Sequence, residues 1–121
     1  MIGIGVDLVD VDRMRRVLAR TPTLVDRLFT DGEKAYARGA VDPAERFAVR
    51  FAAKEAAMKA LGVGLGAVDW HDIEVVRADS GAPLLRIAGR AEKLADAAGV
   101  SEWRLSLTHT STLAEAVVVA L

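Results

Sequence analysis

The stretch that decides the fold runs from Arg50 to Gly64 and reads RFAAKEAAMKALGVG. Its alanines favour a helix, and no glycine or proline interrupts the helical pattern before Gly62. At about 100° per residue, small side chains fall on one face of this helix and large ones on the opposite face. The first face holds Val49, Ala52, Ala53, Ala56, Ala57 and Ala60, and the second holds Phe47, Phe51 and Met58. The small side chains allow another element to approach closely, so we expect the helix to be covered on both faces.

Four charged side chains interrupt this apolar helix. Arg50 and Lys54 lie along one seam between the two faces, and Glu55 and Lys59 lie along the other. The ordinary interpretation of Glu55 and Lys59 is an i,i+4 ion pair, which stabilises a helix by ~0.3–0.5 kcal/mol. Unpaired charge beside aromatic side chains is costly, and this setting weakens the ordinary interpretation.

The rest of the chain predicts an α+β fold, in which an N-terminal strand and helices, including one long central helix, pack on an antiparallel sheet. Turn and capping residues set the predicted boundaries: Thr30 and Glu33 form a capping box, Gly62 ends the long helix, and Asp79-Ser80-Gly81 forms the turn of a hairpin. Predicted helices cover 10–20, a short segment opening at Thr21 and Pro22, 30–39, 43–62 and 90–98, and predicted strands cover 2–9, 73–77, 84–87, 103–107 and 116–121. The last strand is apolar on both faces, so it should be covered on both sides.

Bulk composition bounds the class of protein. A chain of 121 residues predicts one domain spanning 1–121. Its hydrophobic content of 52% is high for a soluble domain and suggests apolar surface kept for a subunit interface. A net charge of −1 argues against a nucleic-acid-binding protein.

Cysteine usage and the N-terminus bear on the compartment. The absence of cysteine excludes a disulfide framework and thiolate metal sites, and it suits a reducing compartment. The N-terminal residues MIGIGVDLVD lack a basic leader, and Asp7 interrupts their apolar run. We therefore expect a cytoplasmic protein with neither a signal peptide nor a membrane span.

Asp7 is the first candidate site residue. In a strand it shares a face with Gly3 and Gly5, and that face should leave room for something to approach. One interpretation is that Asp7 caps the following helix, although Asp10 and Asp12 are better placed to do so. The alternative is that its carboxylate meets a cation or a metal.

His109 is the second candidate. It shares parity with the inward-facing Trp103, Leu105 and Leu107 and stands at the end of the predicted strand. A lone histidine in such a position is commonly a core residue, but strand ends are also places where ligands meet a sheet. Both interpretations stay open at this point.

An arginine-rich helix is the third candidate. Arg13, Arg16 and Arg20 fall on one helical stripe, with Met14, Val17 and Leu18 adjoining. A solvated helix face is the ordinary interpretation. The sharper one is a docking surface for an acidic partner helix, in which apolar contacts lie beside the charges.

The two carboxylates suggest a metal. Hard oxygen ligands such as Asp7 and Glu55 suit Mg²⁺, which proteins commonly hold with one or two carboxylates plus substrate phosphates. Lysine and arginine beside such a metal would neutralise charge during a phosphoryl-type transfer. Residue spacing carries the inference no further than this reaction class.

Motifs along nearly the whole chain match one family in order. They are Gly3-Ile4-Gly5-Val6-Asp7, Phe29-Thr30 with Glu33, Arg46 to Ala56, Lys59-Ala60-Leu61-Gly62, Asp72-Ile73-Glu74-Val75, Gly81-Ala82-Pro83 and Ser106-Leu107-Thr108-His109-Thr110. On these residues the chain resembles the holo-[acyl-carrier-protein] synthases, the small 4'-phosphopantetheinyl transferases. The segment Phe51-Ala52-Ala53-Lys54-Glu55-Ala56 is the most specific part of the match.

The resemblance implies a reaction and a set of roles. The family moves phosphopantetheine from coenzyme A to a serine of an acyl carrier protein, serves fatty acid biosynthesis and releases adenosine 3',5'-bisphosphate. Asp7 and Glu55 match its Mg²⁺ ligands, and Lys59 matches a phosphate-contacting lysine. By the same resemblance Asp7, Glu55 and Lys59 are catalytic, and either Glu55 or a metal-bound water takes the serine proton. Residues matching its coenzyme A contacts are Arg50, Lys59, Pro83, His109 and Thr110.

The family's assembly implies further expectations. It is homotrimeric with active sites at subunit interfaces, so we expect Val117, Val118 and Val119 to contribute to a buried trimer centre. The expected carrier-protein contacts are Arg13, Arg16, Val17 and Arg20. The chain departs from the family pattern at Met58, at Val63 and at Ala82.

Two other classes of function are compatible with the same residues. One is a non-enzymatic binding module, in which the arginine helix docks an acidic helix and the two carboxylates are structural. The other is a different Mg²⁺-dependent enzyme acting on phosphoanhydrides, such as a nucleotide hydrolase.

Overall fold

The computed structural model describes all residues from Met1 to Leu121, and it has the expected mixture of helices and antiparallel strands. The strands are β1 (Gly3–Asp10), β2 (Ile73–Arg77), β3 (Pro83–Ile87), β4 (Trp103–His109) and β5 (Leu113–Ala120). The helices are α1 (Val11–Arg20), α2 (Leu24–Leu28), α3 (Asp31–Arg38), α4 (Pro43–Leu61) and α5 (Gly89–Ala97), with a 3₁₀ turn at Trp70–Asp72. No helix has the length and apolar character that a membrane span needs.

Two antiparallel sheets flank the long helix. The larger has the strand order β1-β5-β4, so β5 pairs on both edges, with Ala116 opposite Asp7 on one side and opposite Leu107 on the other. The smaller is the predicted hairpin of β2 and β3. Helix α4 covers the inner face of the larger sheet, where Ala114, Ala116, Val118 and Ala120 are fully buried.

The contact between α4 and β1 is made by backbone rather than by side chains. A Cβ atom placed on Gly3 would come within 1.9 Å of the Ala60 carbonyl oxygen, and one on Gly5 would come within 1.9 Å of the Ala56 carbonyl oxygen. The bare strand face was expected to leave room for something to approach, and the backbone of α4 is what approaches it.

The outer face of the larger sheet is apolar and uncovered in a single chain. On β1, the fractional exposure of Ile4 is 58%, that of Val6 is 51% and that of Leu8 is 60%. Val117 and Val119 of β5 pair with Val6 and Ile4 on this face. Val118 points inward and is fully buried against α4, so its predicted place in a subunit interface is wrong.

Most predicted boundaries are close to the observed ones, and two differ for identifiable reasons. Helix α2 begins at Leu24 rather than at Pro22, because residues 22 and 23 form a turn before it. Strand β5 begins at Leu113, three residues earlier than predicted, because Leu113 pairs with Asp10 at the end of β1. The length over which β5 pairs with β1 sets this boundary, and the hydrophobic pattern of one strand does not indicate that length.

On α4, the charged side chain of Lys54 lies in the protein interior. The Lys54 side chain is fully buried, and its Nζ lies 2.7 Å from Oε1 of the equally buried Glu33 on α3. Burial lowers the pKa of Lys54, and the charge of Glu33 opposes that shift. This charge belongs to a buried ion pair, so it is not available to a ligand.

Candidate active site

A cleft of about 780 Å³ opens between β1, α1, α2 and the middle of α4. We call it the first cleft. Both predicted carboxylates line it, together with the arginine helix and an apolar wall. Its lining includes Asp7, Arg13, Val17, Phe51, Glu55 and Trp70.

The chain places the two carboxylates on neighbouring elements. Asp7 follows Gly5 on β1, and Glu55 precedes Ala56 on α4, so the close contact of Gly5 with Ala56 brings the two side chains to one cleft. The pKa of Glu55 is raised, first by its partial burial and then by the negative charge of Asp7, while Lys59 opposes the shift. Two carboxylates that repel one another favour a cation between them.

Lys59 forms an ion pair with Asp7 rather than with Glu55. Its Nζ lies 3.2 Å from Asp7 Oδ1 and donates a hydrogen bond of 2.9 Å to the Val6 carbonyl oxygen. The ordinary i,i+4 ion pair of Glu55 with Lys59 does not form. Lys59 is half-exposed, so its remaining N–H group is open to the solvent beside the carboxylates.

An aromatic wall stands one helical turn from Glu55. The rings of Phe51 and Trp70 stack with centroids 5.2 Å apart, and both line the first cleft. Trp70 comes from the 3₁₀ turn between α4 and β2. No local pattern in the sequence indicated this role for it.

The arginine helix borders the first cleft with part of its charge free. Arg13 and Val17 line the cleft, and Asp10 caps the helix by accepting a 2.8 Å hydrogen bond from the Arg13 backbone N–H. Arg16 and Arg20 are exposed and make no ion pair. Arg15, in contrast, is held by Asp42 at 2.6 Å and by Asp12.

A second pocket of about 520 Å³ contains an arginine cluster. The guanidinium groups of Arg46, Arg50 and Arg77 lie 4.0, 4.3 and 4.9 Å from the centroid of the Tyr36 ring. Their hydrogen bonds go to carbonyl and hydroxyl oxygens, and none of the three forms an ion pair. The buried Nε of Arg50 has no hydrogen-bond partner, and burial lowers the pKa of Arg50. The sequence indicated only Arg50 of this cluster.

Of the other residues predicted to contact coenzyme A, some line the second pocket and one does not. Pro83 and His109 line the second pocket with Arg50. His109 is not a core residue: it is 44% exposed, and its Nδ1 lies 3.6 Å from Glu45 Oε2. Thr110 does not line the pocket, and its hydroxyl accepts hydrogen bonds from the backbone N–H groups of residues 112 and 113 in the β4–β5 turn.

The donor set of the first cleft fits Mg²⁺ rather than a metal held by protein alone. No cluster of three or more His, Cys, Asp or Glu side chains is arranged to hold a metal ion. Asp7 and Glu55 nevertheless offer two hard carboxylates, and Mg²⁺ commonly takes its other ligands from water and substrate phosphates.

Comparison with known proteins agrees with this geometry. Residues 3–120 match the model of the 4'-phosphopantetheinyl transferase superfamily. The chain is 50% identical over 120 residues to the holo-[acyl-carrier-protein] synthase of Frankia casuarinae, covering 99% of this chain and 97% of the relative. It is 46% identical over 120 residues to that of Salinispora arenicola, covering 99% and 98%.

Two solved structures have the same fold as this chain. The holo-[acyl-carrier-protein] synthase from Neisseria meningitidis superposes with a TM-score of 0.90 at 32% identity, covering 100% of this chain and 98% of that one. The enzyme from Helicobacter pylori, solved in complex with coenzyme A, has a TM-score of 0.86 at 28% identity, covering 98% and 99%. With a match that runs from the first strand to the last, this chain belongs to the 4'-phosphopantetheinyl transferase superfamily.

Proposed function

We propose that the chain transfers 4'-phosphopantetheine from coenzyme A to a serine hydroxyl of an apo acyl carrier protein and releases adenosine 3',5'-bisphosphate. The observation that carries this proposal is the pair of Asp7 and Glu55 in one cleft, in a chain whose relatives are named holo-[acyl-carrier-protein] synthase. Solved neighbours in complex with coenzyme A support the choice of donor. We further propose one cytoplasmic domain over 1–121 that supports fatty acid biosynthesis.

The first cleft would carry the chemistry. Asp7 and Glu55 would hold Mg²⁺, whose charge, when bound, stabilises the negative charge that develops on the pyrophosphate oxygens. Lys59 is held beside Asp7 and would neutralise phosphate charge from the side of β1. The serine proton would go to Glu55 or to a metal-bound water.

The second pocket would bind the nucleotide end of coenzyme A. Arg46, Arg50 and Arg77 gather around the Tyr36 ring without an ion pair to Asp42 or Glu45 of the same pocket, and Arg50 is buried. A 3'-phosphate would supply the missing negative charge through charge-assisted hydrogen bonds. His109 at the rim would add a further donor, and Pro83 would bound the site.

The two halves of this site point to an assembly. The first cleft and the second pocket share no lining residue, so no single pocket of one chain holds both the carboxylates and the arginine cluster. Exposed apolar residues also cover the outer face of the larger sheet. We therefore propose a homotrimer in which the first cleft of one chain faces the second pocket of its neighbour. The outer-facing Val117 and Val119 would contribute to the contact.

The arginine helix would receive the carrier protein. Arg13, Arg16 and Arg20 lie on one stripe of α1, and Arg13 and Val17 reach the first cleft. An acidic helix docked there would present its serine to the carboxylate pair. Such contacts set encounter rate and orientation more than affinity.

One assay separates this function from its alternatives. The protein is incubated with coenzyme A, Mg²⁺ and an apo acyl carrier protein, and the products are weighed by mass spectrometry. Transfer adds one phosphopantetheine group to the carrier and releases adenosine 3',5'-bisphosphate. A hydrolase would cleave coenzyme A with the carrier unmodified, and a binding module would leave both unchanged.

A further inference from the structure

The buried pair of Glu33 and Lys54 does more than join two helices. Nζ of Lys54 also donates to the carbonyl oxygens of Trp70, at 3.0 Å, and of Ile73. Its three N–H donors therefore have three acceptors. The ammonium group fixes the 3₁₀ turn and the start of β2 to the middle of α4.

Glu33 is satisfied just as completely from the other side. Its Oε1 accepts a 3.0 Å hydrogen bond from the Thr30 backbone N–H, and its Oε2 accepts one of 2.9 Å from the Val75 backbone N–H. Together the two side chains link α3, α4, the 3₁₀ turn and β2 at one buried point. Fully satisfied polar networks of this kind specify a single arrangement of the elements they join.

This network reaches the first cleft through Trp70. The carbonyl group of Trp70 is bonded to Lys54, and its ring stacks on Phe51 and lines the cleft. Lys54 is also the residue before Glu55 on α4. The hydrogen bond from Lys54 to the Trp70 carbonyl oxygen thus joins the backbone of the aromatic wall to the residue next to Glu55.

Stability alone is a poor reason to keep such a pair. Burying two charges costs free energy that their attraction does not always repay, and apolar replacements of similar size are often as stable. What an apolar replacement cannot reproduce is the directed bond to the Trp70 carbonyl oxygen.

We propose that Glu33 and Lys54 are positioning residues for the transfer reaction, which hold the Phe51–Trp70 wall in place beside Glu55. The proposal rests on the proposed function. The wall would keep water from one side of the cleft and hold the transferred group in line for attack. Small displacements of such a group cost rate rather than binding.

The test compares the double variant Glu33→Gln/Lys54→Met with Leu85→Ala. Leu85 is a partly buried core residue that lines neither pocket, so it controls for destabilisation alone. Below the unfolding transition, kcat of the double variant should fall by about tenfold or more relative to that control, with a smaller change in KM for coenzyme A. A Trp103→Phe background leaves Trp70 as the single tryptophan. In that background, acrylamide should quench the Trp70 fluorescence more strongly in the double variant than in the protein that keeps Glu33 and Lys54.

Equal kcat for folded double variant and control, with unchanged quenching, would show a purely structural pair and overturn the proposal. If the double variant does not fold, Trp70→Ala decides, since it removes the Trp70 ring of the wall and keeps the backbone acceptor of Lys54. Wild-type kcat in that variant would also overturn the proposal. Were the wild-type protein to lack transfer activity, the proposed function would fail, while the quenching comparison would still report whether the pair holds Trp70.

Discussion

Gly5 lies directly against the carbonyl oxygen of Ala56, and a Cβ atom at Gly5 would come within 1.9 Å of that oxygen. This contact joins the strand that carries Asp7 to the helix that carries Glu55. The positions of the two carboxylates relative to each other therefore depend on Gly5. The backbone, rather than any side chain, sets how closely the two elements approach.

Gly5→Ala should destabilise the fold by about 1–3 kcal/mol, because the added methyl group must displace backbone atoms of α4. Gly64→Ala is the matched control, since Gly64 has no neighbour within 4 Å and a backbone conformation open to alanine. Urea unfolding of both variants measures the difference. Equal stability of the two would contradict the close packing of β1 on α4.

Asp7→Asn and Glu55→Gln should each lower transfer by about 100-fold or more while the fold stays intact. Each removes one charged oxygen ligand and so weakens both Mg²⁺ binding and charge stabilisation. Titration of Mg²⁺ in the transfer assay checks this, with Glu92→Gln on the exposed face of α5 as control. Near-normal turnover by either variant at limiting Mg²⁺ would remove the metal assignment.

The raised pKa of Glu55 predicts a stability effect in the metal-free protein. Because folded Glu55 binds its proton more tightly than unfolded Glu55, the free energy of unfolding falls as the pH rises between the two pKa values. In the presence of EDTA, Glu55→Gln should therefore melt slightly above wild type at pH 7. The difference should vanish below pH 4.5, the ordinary pKa of the group.

Thermal unfolding with and without Mg²⁺ completes that test. Added Mg²⁺ should raise the Tm of the wild type and leave that of Glu55→Gln unchanged, because ligand binding stabilises only the protein that binds it. A metal-free Glu55→Gln variant that melts below wild type at pH 7 would show that the Glu55 carboxylate is stabilising, contrary to the direction of its pKa.

Charge reversal at Arg16 and Arg20 should raise KM for the carrier protein several-fold and flatten its dependence on salt. Both groups are exposed and unpaired, so they act across a wet surface that salt screens over ~8 Å. Coenzyme A binding, measured by calorimetry without carrier, should hardly change. Reversal at the exposed Lys93 of α5 is the control. An unchanged KM, or lost coenzyme A binding, would restore the solvated-face interpretation.

Sequence patterns correctly predicted the structural features that depend on residues close together in the chain. The capping box of Thr30 with Glu33, the left-handed Gly62 at the end of α4 and the hairpin turn before Pro83 lie where the sequence placed them. Each depends on residues a few positions apart. Helix and strand order, and hence the α+β class, followed from such signals.

Long-range contacts were beyond those patterns. Glu33 was recognised through its helix cap, yet its partner Lys54 lies 21 residues away on another helix. The Tyr36–Arg77 hydrogen bond joins residues 41 apart, so the arginine cluster has no local signature. Val118 was misplaced because a strand apolar on both faces does not reveal which face meets the helix.

The site as a whole was predicted in pieces. Resemblance to a family indicated Asp7, Glu55 and Arg50 together, and the structure places the carboxylates in one pocket and Arg50 in another. Spacing along the chain cannot express that division. The proposed homotrimer would account for it, because a second copy of the chain would complete the site.

Complementation between two inactive variants tests the shared site most directly. One variant, Glu55→Gln, lacks the carboxylate half, and the other, Arg46→Gln/Arg77→Gln, lacks part of the cationic half. Each alone should be nearly inactive and should have the mass of a trimer by light scattering. Mixed trimers assembled from both should recover transfer activity, because some subunit boundaries then combine an intact first cleft with an intact second pocket. Activity of the mixture that does not exceed the sum of the two variants, or a monomer mass for the wild type, would contradict an active site built from two chains.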